Sequence, residues 1–352
     1  MQPNRIVRRT RVAVGVACAS TLLMLVACSP GTADSNEKSL TVSVVGGSVE
    51  AAWTKYVIEP FEKKYNVKVN TVPSLTYDTL AKLRAQKGNP QLDVWTMDQP
   101  AGVIAVSSDT VEPLSEKNVP NLKDVSKRYP GDPYASLWTG TVGIVYNTER
   151  VENPPKTWGD LGDARFKGRV APPNNLSSAG YSWLLSLAYA NGGNTKNVEP
   201  GFVEIEKLKP NVLTFWNTQD QMAKLITTGD AWVGVWTYSR ASAAIADGAP
   251  IAMVCPPEGL MLSSSVIGIS KGTKRSDLAQ KYINFALDPS VQAEFGNATR
   301  LIPSNSKAHL SESVGKYMPS QECMSRSIYP DYDVMAQQTT EWAAEWSKRV
   351  TG

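Results

Sequence analysis

An α/β fold built in two lobes is what the sequence predicts, on three observations. Segments with strand and helix periodicity alternate from about Leu40 onward. Once an export segment at the N-terminus is set aside, more than 300 residues of a chain with 42% hydrophobic content remain. That is more than one core accommodates, because single cores stop growing at roughly 250 to 300 residues. No internal repeat at periods of about 20 to 50 residues is visible, which argues against a solenoid or propeller.

The elements follow in order. Leu40-Thr41-Val42-Ser43-Val44-Val45 alternates as a strand with one buried face. From Val49 to Tyr65, Trp53, Val57, Phe61 and Tyr65 recur at helical spacing, with Pro60 expected to kink or split the helix. Val67 to Val72 reads as a strand, Thr79 to Gln86 as a short helix and Leu92 to Thr96 as a buried strand. Gly143 to Tyr146 is another strand, and the mostly apolar helix from Tyr181 to Ala190 is stopped by Gly192-Gly193. Asp230 to Trp236 then reads as strand, Ser239 to Ala246 as helix, Ser265 to Ile269 as strand and Asp277 to Leu287 as a helix closed by Asp288-Pro289. Trp342 and Trp346, four apart on the last helix, read as packing residues.

Arg5, Arg8, Arg9 and Arg11 precede an apolar run from Val12 to Val26 that ends in Leu25-Val26-Ala27-Cys28. A cationic start, a short apolar core and small residues at its end make an export signal, and the run is shorter than the roughly 20 residues that span a bilayer. Leu-Val-Ala-Cys resembles the lipobox of bacterial lipoproteins. The resemblance implies a signal peptide over residues 1–27, cleavage before Cys28 and a diacylglyceryl anchor on its thiol. Arg8-Arg9 leaves twin-arginine and general secretion both open. Ser29 to Ser39 is polar and contains Gly and Pro, a flexible tether making residues 28–39 a lipid-anchored linker.

Removing the signal takes away four arginines and no acid, so the formal charge moves from +3 to −1. A near-neutral chain without a basic stripe gives no electrostatic case for nucleic acid. Of the four cysteines, Cys18 leaves with the signal and Cys28 carries lipid, so Cys255 and Cys323 remain. In an oxidising compartment they are a natural pair. Two separate buried thiols are the alternative, since the sequence does not show whether their Cα atoms come within roughly 7 Å.

The opening strand with Gly46-Gly47, then Trp53, Pro60-Phe61-Glu62 and Tyr65-Asn66-Val67-Lys68-Val69, resembles the start of bacterial extracellular solute-binding proteins of ABC importers. Pro155-Lys156-Thr157-Trp158-Gly159-Asp160-Leu161 with Phe166-Lys167-Gly168-Arg169-Val170, and Ala279 through Pro289, are similar to later segments of that family. The resemblance covers nearly all of residues 40 to 350 and is greatest for the spermidine/putrescine-binding branch. It implies a two-lobe periplasmic-binding-protein fold of type II with the ligand cleft between the lobes. Residues 40–143 and 264–315 would form the first lobe, and 144–263 with 316–352 the second together with the C-terminal helices. It also implies that the partners are a small-molecule ligand and a membrane permease, that the protein is an exported monomer, and that no cofactor is needed.

In open α/β sheets ligands meet the carboxyl ends of strands and the helix starts beyond them. Gly46, Gly47 and Ser48 follow the first strand, and Asp98 and Gln99 follow the third. A tight turn and a helix cap are the structural alternatives for these groups. Ser177 and Ser178 stand at the start of the Tyr181 helix, where a cap or exposed amides would suit an anion. Trp236 and Tyr238 could stack on a ligand, and Arg240 could hold a carboxylate or phosphoryl group bidentately. Ser264 lies just before the returning strand.

An enzyme is the rival class. The chain has one histidine, His309, with no G-x-S-x-G elbow, no His/Cys cluster at metal spacing and no phosphate-binding glycine loop, so neither catalysis nor a metal is expected. A structural lipoprotein is the remaining alternative. The polyamine branch places acids at positions corresponding to Asn174 to Ser178 and Leu262 to Ser264, and both stretches are uncharged here. Glu50 and Asp98 remain for an amine, while Arg240 adds a cation. The set favours an amine that also carries an anionic group, such as an amino acid derivative or aminophosphonate. A polyamine is the first alternative and iron(III) the second, the latter lacking the adjacent tyrosines typical of iron-binding relatives.

Overall fold

The structure, a computed structural model, describes residues 39–125, 133–174 and 178–351. The signal, Cys28, the tether up to residue 38 and Ser177 lie outside the described residues. β1 (Ser39–Val44) leads through α1 (Ser48–Trp53), a π-helical turn over Thr54–Ile58 and α2 (Glu59–Tyr65) to β2 (Lys68–Pro73), which pairs with β1 in parallel. The run is split as Pro60 required, with a π-helical turn separating α1 from α2. Pro60 occupies the first turn of α2 behind the π-helical turn, where widened i→i+5 bonding makes no demand on its missing N–H.

α3 (Thr76–Ala85), β3 (Val94–Asp98), α4 (Gln99–Ser107) and the short β4 (Val111–Glu112) continue the pattern. β5 (Ala135–Asn147) is far longer than the four residues expected, because Ser136, Thr139, Gly140 and Thr141 interrupt its apolar run and hide its first half. Next come β6 (Val170–Ala171), α5 (Ser178–Ala190), α6 (Glu199–Leu208), α7 (Gln219–Thr227), β7 (Val233–Thr237), α8 (Tyr238–Ala246) and β8 (Ile251–Val254). The chain returns through β9 (Leu262–Ser270), α9 (Ser276–Ala286), α10 (Pro289–Thr299) and β10 (Ile302–Pro303), and closes with α11 (Glu312–Gly315), α12 (Gln321–Ser325) and α13 (Tyr332–Trp346). Asp288-Pro289 closes α9 as expected and also opens α10, where the Asp288 carboxylate accepts the Ser290 amide.

Strands run in the order β2-β1-β3-β9-β5-β7-β6. Ala135 to Thr141 of β5 pair antiparallel with β9, whereas Val142 to Asn147 pair with β7 and β8. One strand therefore passes from one sheet into the other. The first sheet is buried on both faces, and the strand period of two sorts its side chains. Val94, Ile267 and Ile269 face a core built with Trp53, Phe61, Tyr282 and Phe295, while Trp95, Met97 and Val266 face α3 and α4. The second sheet packs against α5, α6 and α13 in a separate core containing Trp183, Phe202, Trp342 and Trp346, so the last two tryptophans do pack. Separate cores on two sheets joined by a shared strand make the two-lobe arrangement.

Cys255, just past β8, and Cys323 in α12 form a disulfide with Cα atoms 6.1 Å apart. It closes a loop of 68 residues and ties the C-terminal segment to the second sheet. Chain-entropy arguments put its worth at about 4 kcal/mol. The double variant Cys255→Ser/Cys323→Ser is expected to unfold at correspondingly lower denaturant; an unchanged midpoint would show that the cross-link does not constrain the unfolded chain.

Candidate functional site

Two adjoining cavities of about 390 and about 340 Å³ open between the two sheets. They share Leu75, Thr76, Asp98, Ser178, Ser182 and Ser263, and so form one cleft. Its floor is the crossing segment, with Gly140 and Thr141 from β5 and Ser263 and Ser265 from β9.

Asp98 is the acid at the junction. Its backbone sits at the N-cap position of α4, yet its side chain makes no capping bond. Instead Oδ2 accepts from the Thr76 hydroxyl at 3.2 Å and Oδ1 from the Ser265 hydroxyl at 3.4 Å. The Asp98 amide in turn donates to Thr76 Oγ1. Burial raises the carboxyl above its ordinary value, and the two hydroxyls only partly oppose that. A half-buried carboxylate that has no cation bonded to it among the described residues and opens on a cavity is suited to an ammonium group.

Arg240 enters from the other sheet. α8 begins directly where β7 ends, so its first turn and Arg240 reach the 340 Å³ cavity along with Thr237 and Ser239. The guanidinium is exposed and donates through Nη2 to Ser48 Oγ at 3.2 Å, a bond between α8 and the start of α1. Ser178, first residue of α5, lines both cavities. A helix start beside an arginine presents backbone N–H groups and a planar cation to one anionic group.

Other expected residues are placed differently. Gly46 and Gly47 are exposed, and neither lines the cavities, although their neighbours Val45 and Val49 do. Gly47 has φ of 76°, which only glycine adopts without strain, so its role is to turn the chain into α1. Ser48 touches the site through Arg240. Gln99 is only 1% exposed and sits beneath α4, away from the cavities, because the helix turns its first side chain toward the core. Trp236 is 2% exposed. Strand alternation directs it into the second core, where its Nε1 donates to Gln219 Oε1 at 2.6 Å, so it offers no stacking surface. Tyr238 packs beside the disulfide with Leu260, against the backbone of Gly143, and burial pushes its phenol up to about 12. Ser264 lines the larger cavity but is 3% exposed, with its hydroxyl on Ser136 and its amide donating to the Tyr332 hydroxyl.

The reading by sequence missed Thr76, Ser182, Gln219 and the aromatic wall of Tyr77, Tyr181 and Tyr332. Thr76 carried a usable signal, since it opens a helix directly after a strand. The tyrosines carried none, for they meet only when α3, α5 and α13 converge.

The profile of the family described as "Bacterial extracellular solute-binding protein" matches residues 56–319. The chain is 25% identical to spermidine/putrescine-binding periplasmic protein 1 of Haemophilus influenzae, with 88% of each chain covered. It is 24% identical to a gamma-aminobutyric acid-binding protein of Pseudomonas aeruginosa, over 75% of this chain and 76% of that one. Its fold superimposes with a TM-score of 0.78 on the crystal structure of an ABC transporter from Clostridium perfringens, at 23% identity and covering 88% and 99% of the two chains. A two-lobe α/β body with a polar cleft on its crossing strands, matched by this profile over most of its length, belongs to the bacterial extracellular solute-binding protein family.

Proposed function

We propose that the protein captures a small zwitterion, an amine that also bears a carboxylate or phosphonate, and delivers it to the permease of an ABC importer. The observation that carries this reading is that Asp98 and Arg240 line the same cavity from different sheets. An ammonium group paired with Asp98 and an acid group paired with Arg240 would leave neither of the ligand's charges unmatched once the lobes enclose it. The relative named for gamma-aminobutyric acid supports this class, since that compound is such a zwitterion.

The lobes divide in this reading as residues 40–143 with 264–315 and residues 144–263 with 316–352, in keeping with the exchange of partners along β5 between Thr141 and Val142. A ligand held by both lobes favours their closure. The experiment is calorimetry with 4-aminobutyrate, 2-aminoethylphosphonate, putrescine, spermidine and iron(III) citrate, combined with small-angle scattering. Zwitterion binding together with a smaller radius is the expected result. Saturable binding with no change in radius would sink the closure step.

A polyamine is the second reading. Asp78 joins Asp98 in the larger cavity, which would suit a diamine. Submicromolar spermidine binding would establish it over the zwitterion. Iron(III) fits less well, because burial drives the Tyr238 phenol toward protonation, opposite to what a phenolate ligand needs.

Export and anchoring belong to the same proposal. No helix among the described residues is long and apolar enough to cross a membrane. Acylated Cys28 would supply the attachment, and mass spectrometry of the mature N-terminus is expected to show it. An unmodified Cys28 thiol in membrane-bound protein would exclude it.

A further inference from the structure

The two halves of the cleft differ in chemistry, and Asp98 stands where they meet. Around Arg240 the wall is mixed, with hydroxyls and an amide from Thr141, Thr237, Ser239, Ser263 and Gln219 set among Val45, Val49, Val142 and Leu301. On the far side of Asp98 it is mostly apolar, built by Leu75, Tyr77, Tyr181, Leu185, Tyr332 and Met335, with Asp78 and the hydroxyl residues Ser178, Ser182 and Thr339 also lining it. This second half is about 390 Å³, already within the range of whole small-molecule sites, which begins near 300 Å³. A ligand that occupied only the space between Asp98 and Arg240 would leave it empty.

Leu75 is 70% and Tyr77 53% exposed at its lip, two of the few large apolar side chains so exposed among the described residues. Both sit where β2 hands over to α3, next to Thr76, which holds Asp98. Tyr181 comes from α5 and packs on Trp342, and its phenol is kept protonated by burial and by nearby Tyr77. An exposed apolar lip over an apolar cavity is uncommon on a surface facing only water.

We infer that the ligand is an amphipathic zwitterion, with its ammonium at Asp98, its acid group toward Arg240 and an apolar substituent seated in the cavity lined by Leu75, Tyr77, Tyr181, Leu185, Tyr332 and Met335. This rests on the zwitterion reading above and extends it from charge to shape. The apolar arm contributes affinity by leaving water, and a single methylene in such a pocket is worth about tenfold or more.

The test compares 4-aminobutyrate with N-benzyl-4-aminobutyrate by calorimetry, on the wild type and on Leu75→Ala/Tyr77→Ala. Those two side chains are exposed and can be trimmed without opening the core. N-benzyl-4-aminobutyrate is expected to bind the wild type at least about tenfold tighter than 4-aminobutyrate. The double variant should lose most of that gain, read as the ratio of the two compounds' affinities, which falls toward one whatever the trimmed lip does to 4-aminobutyrate itself. Equal or weaker binding of the benzyl compound, with 4-aminobutyrate still bound, would overturn the apolar subsite and leave the zwitterion reading standing. A gain that persists in the double variant would place the arm elsewhere and also overturn it. If neither compound binds while putrescine does, both readings fall together.

Discussion

Arg240→Ala is expected to weaken zwitterion binding by about 2 kcal/mol or more, roughly thirtyfold, since truncating one partner of a ligand's charge pair costs about 2 to 5 kcal/mol. The lower end is the better expectation, because Arg240 is exposed in the structure and its field is screened until the lobes enclose a ligand. Arg240→Lys keeps the charge but gives up the planar fork, so it should fall between the two. Ser48→Ala removes only the hydroxyl that accepts from the guanidinium and should cost less than either. For a diamine the sign reverses, because deleting a cation from the cleft favours a dication. Calorimetry at low and high salt with 4-aminobutyrate and putrescine reads both signs. Tighter 4-aminobutyrate binding by Arg240→Ala would show that this residue does not hold the acid group.

Asp98→Asn is expected to abolish measurable amine binding while making the ligand-free protein more stable at neutral pH. Burial raises the folded-state pKa of this carboxyl above its unfolded value. The folded protein therefore binds the proton more tightly than the unfolded chain, so ionised Asp98 costs stability above the folded pKa. That cost fades as pH falls through it. Asparagine keeps the shape without the charge and still accepts from Thr76 or Ser265. The gain in melting temperature should be present near pH 7 and shrink toward acid pH. Amine affinity of the wild type should fall over the same acid range, as the carboxylate is protonated. A variant that melts lower than the wild type at pH 7 would show that the negative charge is a structural asset, paired within the fold.

How much of this was legible depended on whether a property was local. The strand β1, the helices α5, α8 and α9 and the returning strand β9 declared themselves through their own periodicity. Asp98 and Arg240 were identifiable because each lies where a strand ends and a helix begins, a position that chain order alone reveals. The first half of β5 was not, because Ser136, Thr139, Gly140 and Thr141 have no strand pattern until β9 supplies the pairing. The helices α6, α7 and α10 also went unrecognised. α10 illustrates the cause, since Asp288-Pro289 is both a sound stop and a sound start, and only packing against β10 and the core of Phe295 decides that the chain continues as helix.

The candidate site shows the same division. Trp236 and Tyr238 have the chemistry of ligand-stacking residues, and nothing local distinguishes a ring facing a cleft from one facing a core. The tertiary fold settled it by the register of β7, which points Trp236 inward to Gln219, and by the disulfide between Cys255 and Cys323, which closes over Tyr238. The sequence by itself determined the fold class, the family resemblance and the placing of Asp98 and Arg240 where strands hand over to helices, because these depend on residue type and on neighbours along the chain. Only the tertiary structure decided that those two charges share one cavity, that Thr76 and Ser265 hold the acid, and that tyrosines from three separate helices build an apolar wall beside it. Each of those contacts joins residues far apart in sequence, and which side chains meet is fixed by how sheets and helices pack.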